Sequence, residues 1–180
     1  MKRIAWLLWV WALAGCSKPE HREAAAFRDK LAEEIRNAAF IEVAEHSFMS
    51  DFPIHAYPHY EEMEEDDFPR IEYARLRLSE DQKRQLVEMV KGLDETTSSQ
   101  PSFCYFVPHH TLEFHSASGV SSRLKICFQC SDLEWDAASL EVPPETWIEA
   151  FKGVVAGVGM RPSADWKDLV LKSGKGAVGR

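Results

Sequence analysis

Catalytic signatures are scarce in this chain. It has no Gly-x-Ser-x-Gly elbow to present a serine nucleophile and no His-Glu-x-x-His pair to hold zinc beside a general base. The acidic stretch Glu61, Glu62, Glu64, Glu65, Asp66, Asp67 lacks the alternating oxygens, glycine and closing glutamate of an EF-hand loop, so it is expected to be a solvated loop. No apolar run after residue 14 approaches the roughly 20 residues that a helix needs to span a bilayer, and no segment repeats. Basic residues are in deficit, 21 Lys and Arg against 29 Asp and Glu, a formal net charge of −8. A domain this acidic carries no electrostatic footprint for nucleic acid. With 29 carboxylates, no acid–base pair can be singled out by sequence. Cysteine is sparse: Cys16, Cys104, Cys127 and Cys130.

What is present begins at the first residue. Lys2 and Arg3 precede an uninterrupted apolar run, Ile4 to Ala14, of 11 residues. That is the length of a signal-peptide core and about half a membrane span. Leu13-Ala14-Gly15-Cys16 closes it. This resembles the bacterial lipobox, Leu-small-small-Cys, at every position. The resemblance implies diacylglyceryl transfer to the Cys16 sulfur, cleavage before Cys16 and acylation of the new amine. Two or three acyl chains anchor stably where one binds only marginally. Ser17, in place of Asp, follows the cysteine. The expected location is therefore the bacterial cell envelope, on the periplasmic face of the outer membrane in a host with two membranes.

Loss of residues 1–15 leaves 165 residues, enough for one domain with its own core. Removing Lys2 and Arg3 takes the net charge to −10, which anionic lipid would repel, so the acyl chains on Cys16 supply the membrane contact. The expected organisation is a signal peptide over 1–15, a lipidated tether over 16–22, a single domain over 23–172 and a flexible Gly-rich tail over 173–180.

Within the domain, Phe27, Leu31, Ile35 and Ala38 recur at helical spacing from Glu23 onward. Ile41, Val43 and Phe48 suggest a strand, and residues 51–70, broken by Pro53, Pro58 and Pro69, a loop. Ile71 to Leu78 is rich in strand formers. Ser79-Glu80-Asp81-Gln82 is a capping box, opening a helix with Leu86, Met89, Val90 and Leu93 on one face. Strands are expected at 103–107, 111–116 and 122–129, with a short one at 133–135. A helix follows Pro143-Pro144, striped by Trp147, Phe151, Val154 or Val155, and Val158, and ended by Gly157 and Gly159. Ser163 is placed to cap a last short helix containing Trp166, Leu169 and Val170. Locally joined hairpins imply antiparallel pairing. The expected fold is α+β, an antiparallel sheet with helices packed on one face in two layers.

Reactive side chains gather in one stretch, "CYFVPHHTLEFHSASGVSSRLKICFQC", residues 104–130. Matching the apolar faces pairs Phe114 with Leu124 and Leu112 with Ile126 around a turn near Ser118-Gly119. It also sets Glu113 opposite Lys125, Cys127 opposite Thr111 and Cys130 opposite Pro108. His109 and His110 then lie beside the two cysteines. Cys127 and Cys130, three apart, face opposite sides of an extended strand. A bond between those two needs a break in the strand, because three extended steps span roughly 10 Å and a disulfide tolerates about 7 Å between Cα atoms. Three readings remain open. Cys104 pairs with one of the other two cysteines and leaves a buried thiol. Or zinc is held by Cys104, Cys127, Cys130 and His109 or His110, with a tight turn at Phe128-Gln129. Or all three cysteines are unpaired. A thioredoxin-type use of Cys127-Phe128-Gln129-Cys130 requires a helix N-terminus, and Ser131-Asp132-Leu133-Glu134 does not look like one.

The chain also resembles an uncharacterised family of small bacterial exported proteins. They share a helix, an Ala-x-Ile-Glu strand start, a Cys before Pro-(His/Arg)-His, and a later Ile-Cys-Phe-x-Cys. The counterparts are Ala39-Phe40-Ile41-Glu42, Cys104 before Pro108-His109-His110, and Ile126-Cys127-Phe128-Gln129-Cys130. Cys104 stands one residue further from the proline than is usual there. The resemblance spans about residues 27–136 and implies export with no assigned activity. His55 and His59, around Pro58, and His115, on the polar face of its strand, are expected to be ordinary surface histidines. The expected function is a lipid-anchored, non-catalytic binding or structural module without a cofactor; the alternative is a small zinc protein with Cys and His ligands, with enzymatic activity left open.

Overall fold

Alternation of apolar side chains along residues 40–46 and 110–126 dictates a sheet with one greasy face, and a computed structural model shows it. The structure describes residues 19–53, 57, 68–95 and 104–174. The elements are α1 (Pro19–Asn37), β1 (Phe40–His46), β2 (Glu72–Arg77), α2 (Glu80–Lys91), β3 (His110–Ser116), β4 (Gly119–Cys127), β5 (Asp132–Trp135), α3 (Glu145–Gly157) and α4 (Trp166–Lys172). A single 3-10 turn, Met49–Asp51, follows β1. The five strands are ordered β2-β1-β3-β4-β5, every neighbour antiparallel. The fold is α+β, as expected. No helix among the described residues is long and apolar enough to cross a membrane.

β1, β3 and β4 turn most of their large apolar residues to one face. Ile41, Val43, Leu112, Phe114, Leu124 and Ile126 are all 0% exposed. They share one core with Phe27, Leu31 and Ile35 of α1, Leu86 and Val90 of α2, and Trp147, Phe151 and Val155 of α3. Each such side chain contributes about 1.5–3 kcal/mol by leaving water. The fourth helix belongs elsewhere. Val170 of α4 sits in a smaller cluster with Phe52, Tyr57, Phe68 and Ile71, and α4 touches the 3-10 turn. It thereby closes one end of the sheet.

The capping box forms as expected: the Gln82 N–H donates to Ser79 Oγ at 3.2 Å, and the Ser79 N–H donates to Gln82 Oε1 at 2.8 Å. Other expectations are corrected. α1 begins at Pro19, inside the stretch expected to be tether, because Pro fits the first helical turn and Glu20 suits its positive end. Phe48 lies outside β1, at the cap of the 3-10 turn. Residues 104–107 form no strand, and β4 ends at Cys127, two residues early. α4 is capped by Asp165, which accepts the Asp168 N–H at 3.0 Å, and not by Ser163. α3 does end at Gly157, with Gly159 at φ +82°.

The β3–β4 register is displaced by two residues from the expected one. Leu112 pairs with Leu124, Glu113 with Arg123, Thr111 with Lys125 and His110 with Ile126. The turn is Ala117-Ser118, Gly119 already belongs to β4 at φ +124°, and a bulge beside Phe114 absorbs one residue. A shift of two preserves which face each residue occupies, so the core is unaffected. Cys127 and Cys130 lose their expected partners, Thr111 and Pro108.

Candidate functional site at the histidine end of the sheet

β1 ends in Glu45-His46 and β3 begins at His110, with His109 just before it. Their pairing sets Glu45 against His110. Alternation turns these two toward the core side and His46 and His109 to the other side. Titratable groups from both sides therefore meet at one end of the sheet, where α4 covers them.

On the core side, Glu45 and His110 are each 1% exposed. Arg161 reaches the Glu45 carboxylate across 116 residues. Its backbone N–H donates to Oε2 at 2.7 Å and its Nε to Oε1 at 3.0 Å, with a further bond from Nη2. The guanidinium also lies 5.7 Å from the Tyr73 ring centre and 5.9 Å from that of Trp166. A buried carboxylate needs such a partner. His110 is less well served. Neither ring nitrogen has a hydrogen-bond partner among the described residues, and Nε2 stands 3.9 Å from Glu45 Oε2. Burial lowers its pKa to about 4 despite the nearby carboxylate.

On the other side, His109 Nε2 donates between both oxygens of Asp51, at 3.1 and 3.2 Å. Its ring stacks on Trp166, centres 4.3 Å apart and planes 9° from parallel. Asp51 also accepts the Phe48 N–H at 2.7 Å, tying His109 to the 3-10 turn. His46 Nδ1 lies 2.9 Å from the Ser47 carbonyl, so it carries the proton and donates. Nε2 is then an acceptor, and the Thr111 hydroxyl donates to it at 2.9 Å. A hydroxyl on an oriented imidazole is the arrangement of a nucleophile and its base. Here burial, followed by the Arg70 charge, lowers the His46 pKa to about 3. Thr111 itself is 1% exposed. An imidazole that resists protonation so strongly is a poor proton acceptor. A recess of about 130 Å³ adjoins the pair, between His46, Ser47, Met49, Arg70, Thr111 and Lys125.

The sequence-predicted residues separate into three groups. Cys16 lies outside the described residues, as do His55, His59 and the acidic stretch from Glu61 to Asp67. Cys104 and Cys130 are joined as a disulfide with Cα atoms 5.5 Å apart, and Cys127 is a buried free cysteine. The chain turns at residues 128–131, with Ser131 at φ +52°. That turn points the Cys130 N–H at Cys127 Sγ, 3.3 Å away, while the Cys130 sulfur goes to Cys104. The strand does break where a shared metal would require it. However, with Cys104 and Cys130 bonded to each other, the three sulfurs offer one thiol. His109 and His110 turn to Asp51 and Glu45 and not to the cysteines. Sequence reasoning missed Glu45, His46, Asp51, Thr111 and Arg161. A Glu-His pair ending one strand and a His-His pair opening another were visible signals. Nothing local marked Arg161.

No family model, no curated protein and no solved structure matches this chain.

Proposed function

We propose that this protein is an exported, lipid-anchored domain of the bacterial cell envelope that binds or supports a partner without catalytic turnover. The observation that carries the reading is the Cys104–Cys130 disulfide, which ties the segment before β3 to the β4–β5 turn. Structural disulfides persist outside the reducing cytoplasm, the destination that Leu13-Ala14-Gly15-Cys16 encodes. The histidine end supports a structural role. Its imidazoles are engaged internally or buried, with pKa values of about 3 for His46 and about 4 for His110 that keep both neutral at neutral pH. The acyl chains on Cys16 supply membrane contact, and the acidic surface faces water or a protein.

Labelled palmitate tests the anchor. The full chain expressed in a bacterium incorporates label and partitions with detergent, and Cys16→Ser abolishes both. Wild-type chain without label would overturn the anchoring. Activity-based probes test the absence of turnover: a hydrolase or redox signal that disappears on Cys127→Ser would overturn that part.

A further inference from the structure

The polar face of the sheet carries a second cluster, which has Arg70 as a charged neighbour in common with the histidine end and does not rest on the anchoring just proposed. Glu42 of β1 and Glu113 of β3 are direct cross-strand partners. His115 lies two residues beyond Glu113 and so on the same face. Nε2 of His115 is 3.4 Å from Glu42 Oε2 and 3.9 Å from Glu113 Oε2. One donor atom from each residue lies within 4.8 Å of the other two. Nε2 is sealed from solvent and has no hydrogen-bond partner among the described residues. The ring is held in place by stacking on Phe40, centres 4.2 Å apart and planes 14° from parallel.

What stands between these donors is a guanidinium nitrogen. Arg75 Nη1 donates to Glu42 Oε2 at 2.8 Å and to Glu113 Oε2 at 2.6 Å, the two oxygens that face His115. Zinc must displace Nη1 from both oxygens, and Glu72 remains to hold the rest of the guanidinium. Arg75 Nε and Nη2 hold Glu72, at 2.9 and 2.7 Å. Arg75 projects from the edge strand β2, and its side chain is 32% exposed. Glu113 keeps Arg123 on its other oxygen, Oε1, at 3.2 Å. Zinc bonds nitrogen and oxygen at about 2.0–2.2 Å, which places tetrahedral donors roughly 3.3–3.5 Å apart. The measured His–Glu separations already approach that value. One imidazole with two carboxylates, donors from adjacent strands and a ring fixed by stacking, is a ligand set for a borderline divalent cation.

We propose that Glu42, Glu113 and His115 form a zinc site with an open fourth position, the metal taking the place of Arg75 Nη1 between the donors. The zinc site weighed from sequence used the cysteines; this one uses none of them.

The test is zinc binding to the full chain in detergent, carrying no histidine tag, followed by equilibrium dialysis with metal analysis. One zinc per chain is expected, lost in both Glu113→Gln and His115→Phe, the latter retaining an aromatic ring on Phe40. Arg75→Gln removes the competitor, whose charge-assisted bonds to both carboxylates zinc must break, and tightens binding about tenfold. Should Glu113→Gln unfold, Glu42→Gln at the more exposed rim takes its place. Substitution with cobalt distinguishes the donors: a tetrahedral spectrum without a thiolate band is expected. Absence of stoichiometric zinc, retention of zinc in the ligand variants, or a thiolate–cobalt band would each overturn the assignment.

Discussion

Replacing both Cys104 and Cys130 by Ser removes a covalent cross-link between distant parts of the domain, and its cost follows from the length of chain it closes. The two residues are 26 apart. The loop-closure relation for a loop of that length gives about 3.5 kcal/mol at 25 °C. The β3–β4 hairpin lies inside the loop, so this is an upper value: any hairpin persisting in the unfolded chain reduces the entropy released. In a domain of this size each kcal/mol moves Tm by about 2–4 °C, so the double variant should melt about 7–14 °C lower. Urea unfolding followed by tryptophan fluorescence measures the loss, since Trp135 and Trp147 are buried in the core. The effect acts on the unfolded chain, so the m value should rise as that ensemble expands. Wild-type chain unfolded without reductant should expose one thiol, that of Cys127. A double variant within about 1 kcal/mol of wild type, or three titratable thiols beyond Cys16, would refute the reasoning.

Arg161→Ala strips Glu45, 1% exposed, of its partner. Because the arginine side chain is itself 45% exposed, the loss should be about 2 kcal/mol, below the 3–5 typical of fully buried pairs; an unchanged urea midpoint would contradict it. His109→Leu leaves buried Asp51 without its imidazole and should destabilise, whereas His110→Leu removes two unpartnered nitrogens and should be neutral or stabilising at pH 7; thermal melts that rank the two variants the other way would exclude this account of the site. Stability should also depend on pH. His46 and His110 titrate at about 3 and about 4 when folded, against 6.5 when unfolded. Between those values the unfolded chain binds more protons, so stability is fully present above about pH 6.5 and is lost as pH falls toward 4. The slope near pH 5 approaches that of two protons, about 2–3 kcal/mol per pH unit; urea midpoints that stay flat from pH 7 to 4.5 would contradict the neutral burial of both rings.

The fold was legible where short-range physics decides it. The stripe Phe27, Leu31, Ile35 specifies α1, and Ser79 with Gln82 specifies the start of α2, because both signals act within a turn or two. The β3–β4 register was not legible in the same way. Hydrophobic matching repeats every two residues, so it distinguishes faces but not a slide of two. The Ala117-Ser118 turn and the bulge beside Phe114 set the register instead. The cysteine geometry failed for a related reason. The strand pattern of residues 122–129 carries no sign of the turn over residues 128–131, where Ser131 stands at φ +52°. At the histidine end, His109 and His110 were legible as residues to watch. Their partners were not, since Asp51 lies 58 residues from His109 and Arg161 lies 116 from Glu45. The carboxylates around His115 were hidden in the same manner among 29 acidic residues. Pairing across strands, which local sequence does not encode, singles out Glu42 and Glu113.

The mass of the intact chain, extracted from bacterial membranes without reductant, tests the central claim most directly. The account predicts a chain beginning at Cys16, heavier by its diacylglyceryl and acyl groups and lighter by the two hydrogens of one disulfide. A chain that retains residues 1–15, carries no lipid mass, or has all its cysteines reduced would contradict it.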